Sequence, residues 1–206
     1  NLLLILTKIY HKRNCDWNDT DVDKILNILS ENNIKVTFFM VGDWVDKYPE
    51  AVKKISEAGH EIGSHSDTHP HVNQLSYEKN VEEIKSSSEK IQKITGKSVN
   101  LYRTPYGEYN NTVIRATNEN GYMAIHWSLD TLDYKGLSGT EMWDRIKDKM
   151  TAGDIILMHN GTEHTADSLD MIIKNIKEKE FNIVTVSDLI YKENYSIDIN
   201  GKQIQN

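Results

Sequence analysis

Val36-Thr37-Phe38-Phe39-Met40-Val41-Gly42 is a β-branched and aromatic run that stops on a glycine. With no polar residue alternating through it, it reads as a strand buried on both faces, the pattern of a parallel sheet. Before it, Asp21 to Asn32 places Val22, Ile25, Leu26, Ile28 and Leu29 along one helical face, and the Asn32-Asn33 pair stops that helix. After it, Tyr48 to Ala58 reads as a helix closed by Gly59, Glu61-Ile62-Gly63 as a short strand, and Tyr77 to Thr95 as a long helix closed by Gly96. The alternation continues outward. Apolar runs at Leu101-Tyr102, Met123 to Trp127, Asp154 to Met158 and Ile183 to Val186 are separated by helical patterns at Asn111 to Asn120, Gly139 to Met150 and Thr165 to Lys179. Strands and helices in such regular succession predict an α/β fold, a parallel sheet with helical crossovers, either open or closed into a barrel.

The apolar opening, Asn1 to Thr7, is far shorter than the roughly 20 residues of a membrane helix and predicts a buried strand or the remnant of an export or anchor segment. The sequence therefore carries no membrane-spanning segment. Its 206 residues, 38% hydrophobic and 27% charged, suit one domain over residues 1–192, followed by a polar tail at 193–206 expected to be a poorly ordered end or a stub. A net charge of −7 repels a phosphate backbone, so no nucleic-acid partner is expected. Cys15 is the only cysteine, so no intramolecular disulfide forms.

In such folds functional groups gather at the carboxyl ends of the strands. Four of those ends are rich in chemistry. In Gly63-Ser64-His65-Ser66-Asp67-Thr68-His69-Pro70-His71, two histidines four apart point the same way on one helical turn, as a metal site requires; the alternative is a solvated polar loop. Asp67 and His71 read as surface residues. Asp154 to Asn160 delivers His159 at the end of an apolar strand, either to chemistry or to the core. Leu101-Tyr102-Arg103-Thr104-Pro105-Tyr106-Gly107 ends in a tight turn, where Arg103 would have an acidic partner and a turn amide could face a substrate oxygen. Trp127 to Lys135 places Asp130 and Asp133 beyond a strand, as caps or, for Asp133, as the partner of a histidine.

In this order the segments resemble the polysaccharide deacetylase family, also called the chitooligosaccharide deacetylase homology domain or carbohydrate esterase family 4. The resemblance runs from about Ile9 to Leu189 and rests on His65-Ser66-Asp67-Thr68-His69, Arg103-Thr104-Pro105-Tyr106, Asp130-Thr131-Leu132-Asp133-Tyr134 and Leu157-Met158-His159. It implies a distorted, incomplete (β/α) barrel and metal-dependent removal of acetyl groups from an N-acetylated cell-wall polysaccharide such as peptidoglycan or a chitin-like glycan. Zinc, with cobalt or nickel as alternatives, would be held by His65, His69 and an aspartate. Arg103 resembles the arginine that orients the catalytic base, His159 the acid that protonates the leaving amine, and Asp133 the residue that tunes it. The amide of Tyr106, after Pro105, would complete the oxyanion site, while Leu157 and Tyr134 shape the pocket for the acetyl methyl. A monomer, outside or on the surface of a bacterial cell, is the expectation.

The first motif departs from the family pattern. Aligned without gaps, Lys12-Arg13-Asn14-Cys15-Asp16-Trp17 places Asn14 where the base belongs and Cys15 where the metal aspartate usually sits. Asp16 is then the only acid near enough to be the third ligand or a substitute base, and it cannot easily be both. A neutral amide cannot accept a proton, so activity is expected to be weakened, and an acetyl xylan esterase or a non-catalytic glycan-binding pseudoenzyme are the rival readings.

Overall fold

The computed structural model describes residues 2–7 and 19–206. Its elements run β1 (Leu2–Thr7), α1 (Val22–Glu31), β2 (Thr37–Met40), α2 (Gly42–Lys47), α3 (Pro49–Glu57), β3 (Glu61–Ser64), α4 (Tyr77–Thr95), β4 (Leu101–Arg103), α5 (Asn111–Glu119), β5 (Met123–Ile125), β6 (Leu129–Asp130), α6 (Gly139–Ile146), β7 (Ile155–His159), α7 (Thr165–Glu178), β8 (Ile183–Val184), α8 (Val186–Leu189), β9 (Tyr195–Ile197) and β10 (Gln203–Gln205). The first eight strands form one sheet in the order β5-β4-β3-β2-β1-β7-β6, with β8 also on β1, and every pairing in it is parallel. All four residues of β2 are buried, as a strand at the middle of a parallel sheet requires, and the one polar side chain among them, Thr37, donates its hydroxyl to Glu61 at 2.6 Å.

β5 and β6 close the two ends of that order, yet only His126-Trp127-Ser128 lie between them in the chain. Four Cα steps reach about 14 Å at most, so the sheet has to curl until its edges nearly meet. No pairing joins those two edges among the described residues, which makes this the incomplete (β/α) barrel expected.

The helices bury the faces their periodicity marks out: α1 buries Val22, Ile25 and Leu29, and α7 buries Leu169, Ile172, Ile173 and Ile176. These side chains meet Phe38, Met40, Ile156 and Met158 from the sheet in one core. Helix ends follow the sequence punctuation. Ser76 accepts the Lys79 amide at the start of α4, Gly96 ends it at φ 70°, and Asn33, just past the α1 C-cap, sits at φ 54°.

Three expectations are corrected. A further helix, α2, precedes the one predicted from Tyr48; Pro49 starts α3 and separates the two, while Trp44 and Val45 bury α2 in the core. Residues 65–69 are a loop and not a helical turn. The tail at 193–206 is ordered: β9 and β10 pair antiparallel through Gln203↔Ile197, Ile204↔Ser196 and Gln205↔Tyr195, because turn-forming Asp198 to Gly201 brings two short strands back together.

Candidate active site

β3 delivers His65 to a wholly buried position. Its Nδ1–H donates to the Arg103 carbonyl at 2.7 Å, which leaves Nε2 as the lone-pair nitrogen, and Nε2 accepts from Arg103 Nη2 at 2.9 Å. Burial, then the Arg103 charge, hold the imidazole pKa well below its ordinary value, so the ring is neutral. Left-handed Ser66 (φ 66°) and His69 (φ 56°) do the work assigned to a helical turn. Ser66 Oγ accepts the His69 amide at 3.0 Å, and the His65 and His69 rings come edge to face with centroids 4.8 Å apart. Asp67 is not a free surface residue, since Lys90 pairs with it at 2.7 Å. His71 is half-exposed, pairs with Glu108 at 2.7 Å, and stacks on Tyr106 with centroids 4.3 Å apart.

Arg103, at the end of β4, is 1% exposed. Its guanidinium lies 5.2 Å from the Trp127 ring, whose indole is stacked in turn on His126 at 4.2 Å. Burial pulls the guanidinium pKa down to about 9, against the upward pull of Asp130 and Asp133, which leaves it charged at neutral pH. The expected acidic partner does not hydrogen-bond it among the described residues; Nε and Nη1 are buried with no such bond. The next turn buries Pro105 and puts Tyr106 at φ 57°, with its ring 4.6 Å from that of His69. Gly107 (φ 67°) lies where a Cβ would meet Trp127 at 2.6 Å, so this turn sits flat on the indole.

Across the sheet, β7 carries buried Leu157 and ends at wholly buried His159. His159 Nδ1 bonds Asp133 Oδ1 at 2.6 Å, and its backbone amide donates to Asp133 Oδ2 at 2.5 Å. The Tyr134 amide and Thr165 Oγ1 donate to the same carboxylate at 2.9 and 2.7 Å. Four donors therefore fix Asp133, and Asp133 fixes the ring. His159 Nε2 is buried and has no hydrogen-bond partner among the described residues. Tyr134 stands edge-on to the ring at 5.3 Å and is 44% exposed. β1 ends at Thr7, in register with His159 on one side and Phe39 on the other.

Asn14, Cys15 and Asp16 lie outside the described residues. Among those described, no three His, Cys, Asp or Glu gather as a metal site. The pair present does suit a divalent transition metal: His65 is neutral, its tautomer is fixed by a backbone carbonyl, and its Nε2 lone pair points at a cation already. That cation is the Arg103 guanidinium, so the nitrogen serves a metal only once the arginine has released it. Thr165 bonds Asp133, Trp127 faces Arg103, and Glu83 bonds Asp67 and Thr68 between the two histidines; the sequence marked none of the three, because each acts across more than a dozen residues and carries no local pattern.

A model of the polysaccharide deacetylase family matches residues 15–125, more than half of the chain. The chain belongs to the polysaccharide deacetylase family. Among its curated relatives is a peptidoglycan-N-acetylglucosamine deacetylase of Bacillus cereus, 31% identical over 81% of this chain and 62% of that protein. A peptidoglycan-N-acetylmuramic acid deacetylase of Bacillus subtilis is 31% identical over 82% of this chain and 66% of its own length. This polysaccharide deacetylase chain thus spans less than two thirds of those relatives. Among solved structures, a carbohydrate esterase family 4 pseudoenzyme from Bacillus anthracis superposes with a TM-score of 0.84 at 28% identity, covering 91% of this chain and 64% of that one. A mutant of that pseudoenzyme is described as having restored enzymatic activity.

Proposed function

We propose that the chain hydrolyses acetyl groups from N-acetylated cell-wall polysaccharide, peptidoglycan or a chitin-like glycan, with one divalent transition metal, zinc first, at His65, His69 and Asp16. The observation that carries this reading is the buried Asp133–His159 pair: an imidazole anchored on a carboxylate through Nδ1, with no hydrogen bond to Nε2 among the described residues, is arranged to pass a proton. When bound, a metal there would polarise the acetyl carbonyl and make a water more acidic. Water oxygen bonds to the acetyl carbon, and as the C–N bond breaks His159 Nε2 gives a proton to the departing amine, releasing acetate and a free amino sugar. Asp133 keeps the ring from turning. The Tyr106 amide supplies a donor to the carbonyl oxygen as it gathers charge. Leu157, Pro105 and Tyr134 bound the space for the acetyl methyl. The proton lost by the attacking water needs an acceptor, and Asn14 cannot be one, so turnover is slow.

The test compares wild type with Asn14→Asp on N-acetylglucosamine oligomers at saturating zinc, reading acetate release. Restoring the acid should raise turnover about 10²- to 10⁴-fold with little change in zinc affinity. Equal and high rates in both proteins would show that Asn14 is not at the base position. A non-catalytic glycan-binding role is the second reading, favoured by Asn14 itself and by the likeness to a pseudoenzyme; glycan binding with no activity in either protein would establish it. A place at the bacterial cell surface is supported by the peptidoglycan deacetylases among the relatives.

A further inference from the structure

The loop between His65 and His69 is gripped by groups that the chemistry above does not use. Glu83, on α4, accepts the amides of Asp67 and Thr68 at 2.8 and 2.9 Å through Oε2, and the Thr68 hydroxyl at 2.8 Å through Oε1. Those two residues lie within the stretch that separates the imidazoles. From the opposite flank, the amides of Gly42 and Asp43 at the start of α2 donate to the carbonyls of Ser66 and Asp67 at 3.0 and 2.9 Å. Lys90, two turns beyond Glu83 on α4, pairs with Asp67 and Asp46, each at 2.7 Å. The loop needs this grip. Ser66 and His69 both sit at positive φ, a conformation that non-glycine residues hold only where the surroundings enforce it.

We propose that Glu83 is a positioning residue for the divalent metal: by tying down Asp67 and Thr68, it fixes how far apart and at what angle His65 and His69 present their rings. This rests on the reading that those two histidines are the ligands. Glu83 forms three bonds to the loop and so sets its shape more firmly than any other side chain on α4. Its hydrogen bonds go to Asp67 and Thr68 and not to either imidazole, so it acts through the loop. Outer-shell groups of this kind typically change metal affinity about 10- to 100-fold when removed.

The experiment measures zinc affinity by competition with a chromophoric chelator, and the melting temperature of the metal-free protein, for wild type, Glu83→Ala, Glu83→Gln, Glu82→Ala and His65→Ala. Glu82 neighbours Glu83 on the same helix but pairs outward with Lys79, so it controls for loss of a helix-surface interaction. Zinc binding should weaken about 10- to 100-fold in Glu83→Ala. Glu83→Gln should recover most of that, because its amide oxygen still accepts the two loop amides. Glu82→Ala should bind like wild type, and His65→Ala should lose binding. A Glu83→Ala protein that melts lower yet binds zinc as wild type does would reduce Glu83 to a structural role and overturn the inference. Should Glu83→Ala not fold, Thr68→Val removes one of the three bonds from the loop side; a several-fold loss supports the inference and unchanged affinity overturns it. Zinc held equally by wild type and His65→Ala, or by neither, would overturn the inference together with the metal assignment beneath it.

Discussion

Asp133 shows why single residues in this site were readable only in part. Its pairing with His159 was expected from the segment it stands in, but Thr165 Oγ1, donating to the same carboxylate at 2.7 Å from 32 residues away, left no trace in sequence spacing. Arg103 was expected beside an acid; among the described residues its guanidinium hydrogen-bonds none and donates to His65. Another histidine offers a cleaner residue-scale prediction. His60 is buried, its Nδ1 accepts the Val36 amide at 3.3 Å, and burial lowers its pKa to about 4. In the unfolded chain an imidazole protonates near pH 6.5, so between those two values the unfolded state takes up a proton that the folded state refuses. Stability contributed by neutral His60 is therefore complete above about pH 6.5 and is lost as pH falls towards the folded value. Urea unfolding of wild type and His60→Gln from about pH 7 to about pH 4.5 should show the difference between them moving against wild type on acidification. A difference that is constant over that range would mean His60 is free to protonate in the fold.

At the scale of elements, most boundaries were legible because caps and periodicity agree: α4 spans Tyr77–Thr95 as its pattern predicts, between Ser76 and Gly96. The turn from His65 to His69 was misread as helical because the spacing of four is common to both conformations, and nothing local reveals that Ser66 and His69 adopt positive φ. Nor did α2 announce itself, its six residues being too few for periodicity to register. Its first residue is the tightest point between element and loop. A Cβ on Gly42 would fall 1.9 Å from Asp67 Oδ1 and 3.1 Å from Asp67 Cα, so the Asp67 side chain occupies the space that glycine leaves. Gly42→Ala should therefore displace Asp67 from Lys90 and cost about 1–3 kcal/mol, as overpacking usually does. Thermal or urea denaturation reads the loss. Wild-type stability in Gly42→Ala would show that the loop yields without strain.

For the molecule as a whole, the alternation of buried strands and amphipathic helices was enough to predict a parallel α/β sheet, because long-range packing has only to agree with patterns each segment already carries. The core is shared widely, and Ile25, wholly buried on α1, belongs to the same cluster as Phe38 and Met40 of β2. Ile25→Ala should cost about 2–5 kcal/mol in urea denaturation. A cost under about 1 kcal/mol would mean that the core collapses around the gap. What the patterns could not convey is the seam, since strand order is a property of pairing and no segment encodes it. At that seam the three residues bridging β5 and β6 place Trp127 with Arg103 over its ring and His126 stacked on it. The indole is thus a built-in optical reporter: any ligand that draws the guanidinium off His65 also changes the charge lying over a tryptophan, and occupancy of the site becomes visible as a shift in emission without a label.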